Sequence, residues 1–197
     1  PDVMTITEAS DLCSTIGNAS VPSAMVDRKL FEGENAVAFG RDSLPGANES
    51  AWLERSRNQN DNKASAKLFI GGSYDNSSRV VDVNIASSFV DYIEDGDIRL
   101  SLIIVEDSVT GGSQYNQRNF YNTIPGHPFQ GKGDPLVGYV HKNVLRDILP
   151  STWGDSTVIP SNNRILNNNY SKNFNFTLNN QWDENQVSLV AKLKFLE

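Results

Sequence analysis

Beyond residue 62 the chain alternates between apolar and polar positions. Ala66, Leu68 and Ile70 are interleaved with Lys67 and Phe69, and Val81, Val83 and Ile85 with Asp82 and Asn84. A period of two predicts strands with one face buried and one solvated. Asp75-Asn76-Ser77-Ser78 supplies a turn between these two strands, and Asp95-Gly96 marks the next. The following run places Ile98, Leu100, Leu102 and Ile104 on one face and adds Ile103 and Val105 on the other. A strand that is apolar on both faces belongs at the centre of a sheet. A further strand is predicted to begin near Leu136 and to carry Val137, Tyr139 and His141. Two more follow, one through Phe174, Phe176 and Leu178 and one from Val187 to Phe195. The pattern predicts a mainly β protein, α+β overall, whose main domain is an antiparallel two-sheet β-sandwich. A closed barrel is the alternative arrangement.

Upstream of residue 62 the signals are helical. Thr5 to Gly17 reads as a helix capped by Thr7, with Leu12 and Ile16 on one face and Gly17-Asn18 ending it. Asn48 to Asn58 reads as a second helix, with Asn48 or Ser50 as its cap. Ser23 to Val26 is a short strand between them. The polar run Asn58-Gln59-Asn60-Asp61-Asn62 suits a join, which divides the chain into 1–62 and a sandwich domain at 63–197. Val109 to Pro135 does not alternate. It is rich in Gly and Pro and holds Tyr115, Phe120, Tyr121 and Phe129. A connection of that length inside a sandwich is either functional or disordered, and its aromatics supply area that packs. They either plug one end of the sandwich or form a displayed binding surface. Tyr115, Phe120, Tyr121 and Trp182 are the binding candidates.

Composition narrows the chemistry. With 24 acidic and 17 basic residues the net charge is -7, which disfavours nucleic acid as a partner. No stretch approaches the roughly 18 apolar residues of a membrane-spanning helix. Cys13 is the single thiol, so it has no intrachain disulfide partner; it reads as a small packed side chain. His127 and His141 are the only imidazoles, too few for a zinc site, and no metal site is expected. His141 reads as a donor that fixes a neighbouring loop. No nucleophile elbow or phosphate loop is present. Glu106-Asp107 and Asp183-Glu184 are neighbours whose side chains diverge on strands, unlike a glycosidase pair. These features point to a chain that is not an enzyme and carries no cofactor. Calcium, which takes carboxylates and carbonyls from loops, is more credible than zinc, with Asp75-Asn76, Glu94 to Asp97 and Asp183 to Asn185 as candidate donors.

Two resemblances add to this reading. Leu12 to Arg28, with Val21-Pro22-Ser23 at its centre, resembles the later half of a thioredoxin fold, where Pro22 would stand at a cis-proline site. The order of Pro22 to Arg28, Trp52, Val81-Asp82-Val83, Leu102 to Asp107, Tyr139-Val140-His141-Lys142-Asn143-Val144-Leu145-Arg146 and Thr152-Trp153-Gly154 is similar to the Bacteroidetes outer-membrane protein family of about 28 kDa. The resemblance implies a partial thioredoxin-like α/β segment followed by a β-sandwich. It implies a surface lipoprotein with an adhesin or receptor role, and Pro22, Tyr139, His141, Arg146, Trp153 and Gly154 as structural signature residues. The family's upstream part, with a Cys-x-x-Cys and a lipidated N-terminal Cys, lies outside this sequence, which opens at Pro1. The expected function is non-enzymatic binding to a protein or glycan at the cell surface, with the outer membrane reached through that absent anchor. The alternative is a piece of an exported thiol-disulfide protein.

Overall fold

The computed structural model describes residues 3–16, 23–27, 29–40, 51–60, 62–91, 96–160 and 168–196. Six strands form two antiparallel three-stranded sheets. In one, β3 (Ala66–Asp75), β4 (Val80–Phe89) and β7 (Asn169–Thr177) lie in the order β3-β4-β7. In the other, β5 (Asp97–Glu106), β6 (Val144–Leu149) and β8 (Val187–Leu196) lie in the order β6-β5-β8. The protein is thus mainly β, and the two sheets face each other as a sandwich.

The alternation explains the core. Val81, Val83 and Ile85 of β4 are buried while Asp82 and Asn84 between them are exposed. They meet Leu100 and Leu102 of β5 and Phe174 of β7, with Leu189, Ala191 and Leu193 of β8 packed against the cluster. Each such aliphatic side chain contributes about 1.5–3 kcal/mol by leaving water. A second cluster of Phe89, Ile98 and Ile159 extends the core, with the Tyr170 ring edge-on to Phe89 at 5.7 Å. β5 is covered on both faces for much of its length and is the central strand of its sheet. β3 is an edge strand, and Phe69, Ile70 and Tyr74 on it are exposed.

Two expectations change here. Leu136 to His141 is not a strand. Gly138 takes a left-handed φ of 68°, Val137 is 83% exposed, and the segment touches other backbone only through bridges at Leu136 and His141. The strand begins later, at Val144. Its two apolar residues are followed by Arg146 and Asp147, a pattern that hides the period. The cause is a β-bulge: Ile104 pairs with Asp147 and Val105 with Leu145, so Arg146 is the extra residue.

The N-terminal part holds α1 (Thr7–Ile16), a two-stranded ladder of β1 (Ser23–Ala24) with β2 (Phe39–Gly40), and α2 (Ala51–Asn60). α2 runs two residues further than expected, into the polar run read as a join. Pro22 and the proposed caps Asn48 and Ser50 lie outside the described residues. A small cluster forms around Phe31 and Phe39, whose rings meet edge-on at 6.0 Å. Trp52 Nε1 donates to the Phe39 carbonyl at 3.3 Å. Arg55 stacks 4.6 Å from the Phe31 ring centre and pairs with Glu34 at 3.4 Å. α1 lies against β6, and Thr152 Oγ1 donates to Asp11 Oδ2 at 3.2 Å. Burial there, with Glu8 nearby, raises the Asp147 carboxyl above its ordinary range. Leu12 and Ile16 are the half-buried residues of α1's second half. Cys13 is exposed, contrary to the packed role expected of it, because the next position on a helix turns about 100° away from that face.

Candidate functional site

The connection from Asp107 to Asn143 is the longest link between strands of the sandwich. Two backbone bridges close it. Val109 and His141 exchange hydrogen bonds at 3.0 and 2.8 Å, and Gln117 and Leu136 at 3.3 and 2.7 Å. His141 Nε2 donates to the Tyr115 carbonyl at 2.7 Å, and its ring meets Tyr139 edge-on at 4.9 Å. At the foot of the loop Asp107 Oδ1 accepts from the Asn143 backbone at 2.7 Å.

Beyond the second bridge lies a lobe, residues 118–134, organised by one side chain that sequence reasoning missed. Asn119 is 3% exposed. Its amide donates to the carbonyls of Phe129 (2.9 Å) and Gly133 (2.8 Å), and its oxygen accepts from the Tyr121 backbone at 3.1 Å. Its own N–H reaches Asp134 Oδ1 at 2.8 Å. Asn122 Oδ1 accepts from Gly133 at 2.9 Å, and Gln130 Oε1 from Gly126 at 2.8 Å. A buried amide that uses both its donor hydrogens and its acceptor substitutes for a regular ladder. Nothing in the local pattern distinguishes Asn119 from the chain's many other asparagines.

The lobe's aromatics do not enter the sandwich core. Phe120 is 72% exposed, with the Arg118 guanidinium 4.8 Å from its ring centre. Tyr121 is 46% exposed and stacks on His127 at 3.9 Å with the planes 11° apart. His127 touches Phe129, and Lys132 Nζ lies 5.8 Å from the Phe129 ring centre. Ile124 is also exposed. Tyr115 differs from these. It is half-buried, and its ring lies so close over Gly111 that a Cβ there would come within 2.4 Å of it.

The remaining candidates lie elsewhere. Trp182 is half-buried in the turn before β8 and packs against the main core. That turn is clasped by Arg79, which donates to the carbonyls of Asn179 (3.0 Å) and Trp182 (2.8 Å) and pairs with Glu184. Arg146 Nε pairs with the buried Glu106 at 2.6 Å, and the other Glu106 oxygen accepts from the Asp183 backbone at 2.8 Å. The Thr152-Trp153-Gly154 turn returns the chain to β5, where Leu100 and Asp155 exchange backbone bonds of 3.0 and 2.9 Å. Gly154 has φ 80°, and a Cβ there would meet Ser101 Oγ at 2.5 Å and the Leu100 carbonyl at 3.0 Å. Trp153 is half-buried, with Lys194 Nζ 5.0 Å from its ring centre. Asp155 then pairs with Lys172 of β7, an ion pair that links the two sheets. That pairing, with bonds from Thr157, holds the Asp155 carboxyl down to about 2.

Of the carboxylates named as calcium donors, Glu94 and Asp95 lie outside the described residues, Asp97 pairs with Arg99, and the others are engaged locally. Asp75 accepts from the Ser77 N–H and hydroxyl and from the Ser78 hydroxyl, which lowers it to about 2. Asp183 accepts from Asn185. Among the described residues no three His, Cys, Asp or Glu side chains converge as metal ligands. A small open cleft of about 280 Å³ lies between the edges of β3 and β8, lined by Gly72, Tyr74, Val81, Leu178, Val187 and Leu189 among others.

These features define a class: a two-sheet sandwich that carries one long, self-folded loop. Within it, the chain belongs to the outer membrane protein Omp28 family, whose model matches residues 9–194. The family is one of outer-membrane proteins, so the chain is exported and outer-membrane-associated. Among the described residues no helix is long and apolar enough to cross a membrane. No curated protein and no solved structure matches the chain.

Proposed function

We propose that this chain is a non-enzymatic binding module, adhesin- or receptor-like, which uses the loop between residues 107 and 143 as its contact surface for a protein or glycan at the cell surface. One observation carries the reading: Phe120 and Tyr121 stand exposed on a lobe whose backbone is fixed by Asn119 from within. A rigid scaffold that displays aromatics on a preformed loop lowers the ordering cost of binding. The engagement of Glu106 by Arg146, of Glu184 by Arg79 and of Asp155 by Lys172 supports a role without catalysis. In this reading 63–197 is the binding domain and 1–62 is a partial thioredoxin-like piece beside it. The Bacteroidetes origin and a lipidated N-terminus follow the family resemblance.

The test uses the purified chain on printed glycans and on immobilised extracellular proteins. Phe120→Ser with Tyr121→Ser should abolish any binding seen with the parent chain, at an unchanged melting temperature. Binding that survives both substitutions refutes the loop as the contact surface. Tyr115 is a poorer target, since it packs inside the loop against Gly111.

A further inference from the structure

The lobe's charge and its apolar side chains point in one direction. The chain has 24 acidic residues, yet none from Ser108 to Gly133. Over residues 109–143 the charged side chains are Arg118, Lys132, Lys142 and Asp134, a net +2, so the other residues carry -9 of the total -7. Among the described residues no carboxylate pairs with Arg118 or Lys132. Each lies instead over an aromatic ring, Arg118 on Phe120 and Lys132 on Phe129. The one nearby acid, Asp134, has an oxygen occupied by the Asn119 backbone. Phe120, Tyr121 and Ile124 are exposed on the same lobe, at 72%, 46% and 48%, with Arg118 over the Phe120 ring.

From this we infer that the 118–132 lobe rests on the surface of an anionic lipid bilayer, with Phe120 and Ile124 entering the interfacial layer and Arg118 and Lys132 at headgroup level. The inference rests on the loop being the contact surface and gives that surface a lipid partner in addition to the protein or glycan named above. Aromatic and aliphatic tips flanked by basic side chains match the layering of a bilayer interface, where apolar groups go below and cations sit among the headgroups. A sugar ring would use the aromatics but not Ile124. Recognition of its hydroxyls would also want outward amides, whereas Asn119, Asn122 and Gln130 bond to the lobe's own backbone. The negative remainder of the molecule is repelled from an anionic surface, so the field itself turns the lobe toward it.

The experiment is flotation of the full chain with phosphatidylcholine vesicles, with and without phosphatidylglycerol. The chain should float only with phosphatidylglycerol present, and binding should fall steeply with added salt. Arg118→Glu with Lys132→Glu, and separately Phe120→Ser with Ile124→Ser, should each lower partitioning by at least about tenfold without changing the melting temperature. If phosphatidylglycerol vesicles never bind at low salt while the loop-dependent glycan or protein binding described above persists, the bilayer assignment falls and the loop reading stands. If the vesicles bind parent and variants alike, the bilayer assignment falls, and the loop reading stands or falls on the glycan and protein binding test alone. Displacement by soluble glycerophosphoglycerol at equal headgroup concentration would indicate a headgroup pocket and overturn the bilayer assignment.

Discussion

Replacing Asp155 by Asn removes one charge from a contact that ties the two sheets together. Asp155 follows the Trp153-Gly154 turn on the β6-β5-β8 side, and Lys172 belongs to β7 of the other sheet. Asn keeps the backbone exchange with Leu100 and can still accept from the Thr157 N–H (2.8 Å) and hydroxyl (2.6 Å). What is lost is the attraction to the Lys172 ammonium, which heads the causes that bring the carboxyl from 3.8 to about 2. That fall corresponds to about 2.4 kcal/mol at most, at about 1.36 kcal/mol per tenfold. Asp155 is 13% exposed and Lys172 27%, so solvent reaches the pair and weakens it. The expected loss at neutral pH is therefore about 1–2 kcal/mol, or about 3–6 °C in melting temperature for a chain of this size. Because the folded carboxyl titrates below the unfolded one, its contribution is complete above pH 3.8 and disappears as pH falls toward 2. Urea melts of parent and Asp155→Asn, run from pH 7 to pH 2, should show a gap that closes across that interval. In Lys172→Met the second substitution should cost almost nothing further. Equal stability at pH 7, or a gap that stays constant to pH 2, refutes the charge-based account.

Three further outcomes follow from buried or constrained positions. Glu106→Ala strands the Arg146 guanidinium and the Asp183 N–H, and should cost about 3–5 kcal/mol in denaturant melts, whereas Glu106→Leu with Arg146→Met should recover most of that. Gly154→Ala forces a side chain into a left-handed turn against Ser101 and the Leu100 carbonyl, and should cost about 1–3 kcal/mol by the same measurement. Asn119→Ala removes three bonds from the lobe and should open residues 118–134 to limited proteolysis, while protection in β4 and β5, followed by hydrogen exchange, stays at its parent level.

The strands were legible wherever one face is buried and the other wet. Val81, Val83 and Ile85 stand inward in the alternation their spacing dictates, and the doubly apolar run from Ile98 to Val105 sits at the centre of its sheet. β6 was not legible, because the bulge at Arg146 breaks the period of two. The false strand at Val137 had the right composition, but Gly138 turns the backbone out of the extended region. The long loop could be found as a gap in periodicity. Its organisation could not, since the value of Asn119 depends on carbonyls up to fourteen residues away that only the folded backbone brings together. Nothing in the sequence marks Arg118 and Lys132, each of which the fold sets over an aromatic ring.

The paired backbone at Val109/His141 and Gln117/Leu136 separates the lobe from the strands that carry it. Substitutions at the tip that leave those two crossings paired should leave the core around Leu100 and Leu102 undisturbed. Residues at the tip are therefore free to drift in sequence under pressure from whatever they touch, while the scaffold beneath keeps its fold. Related chains should diverge fastest between the crossings and slowest at the asparagine and glutamate that hold each side in place.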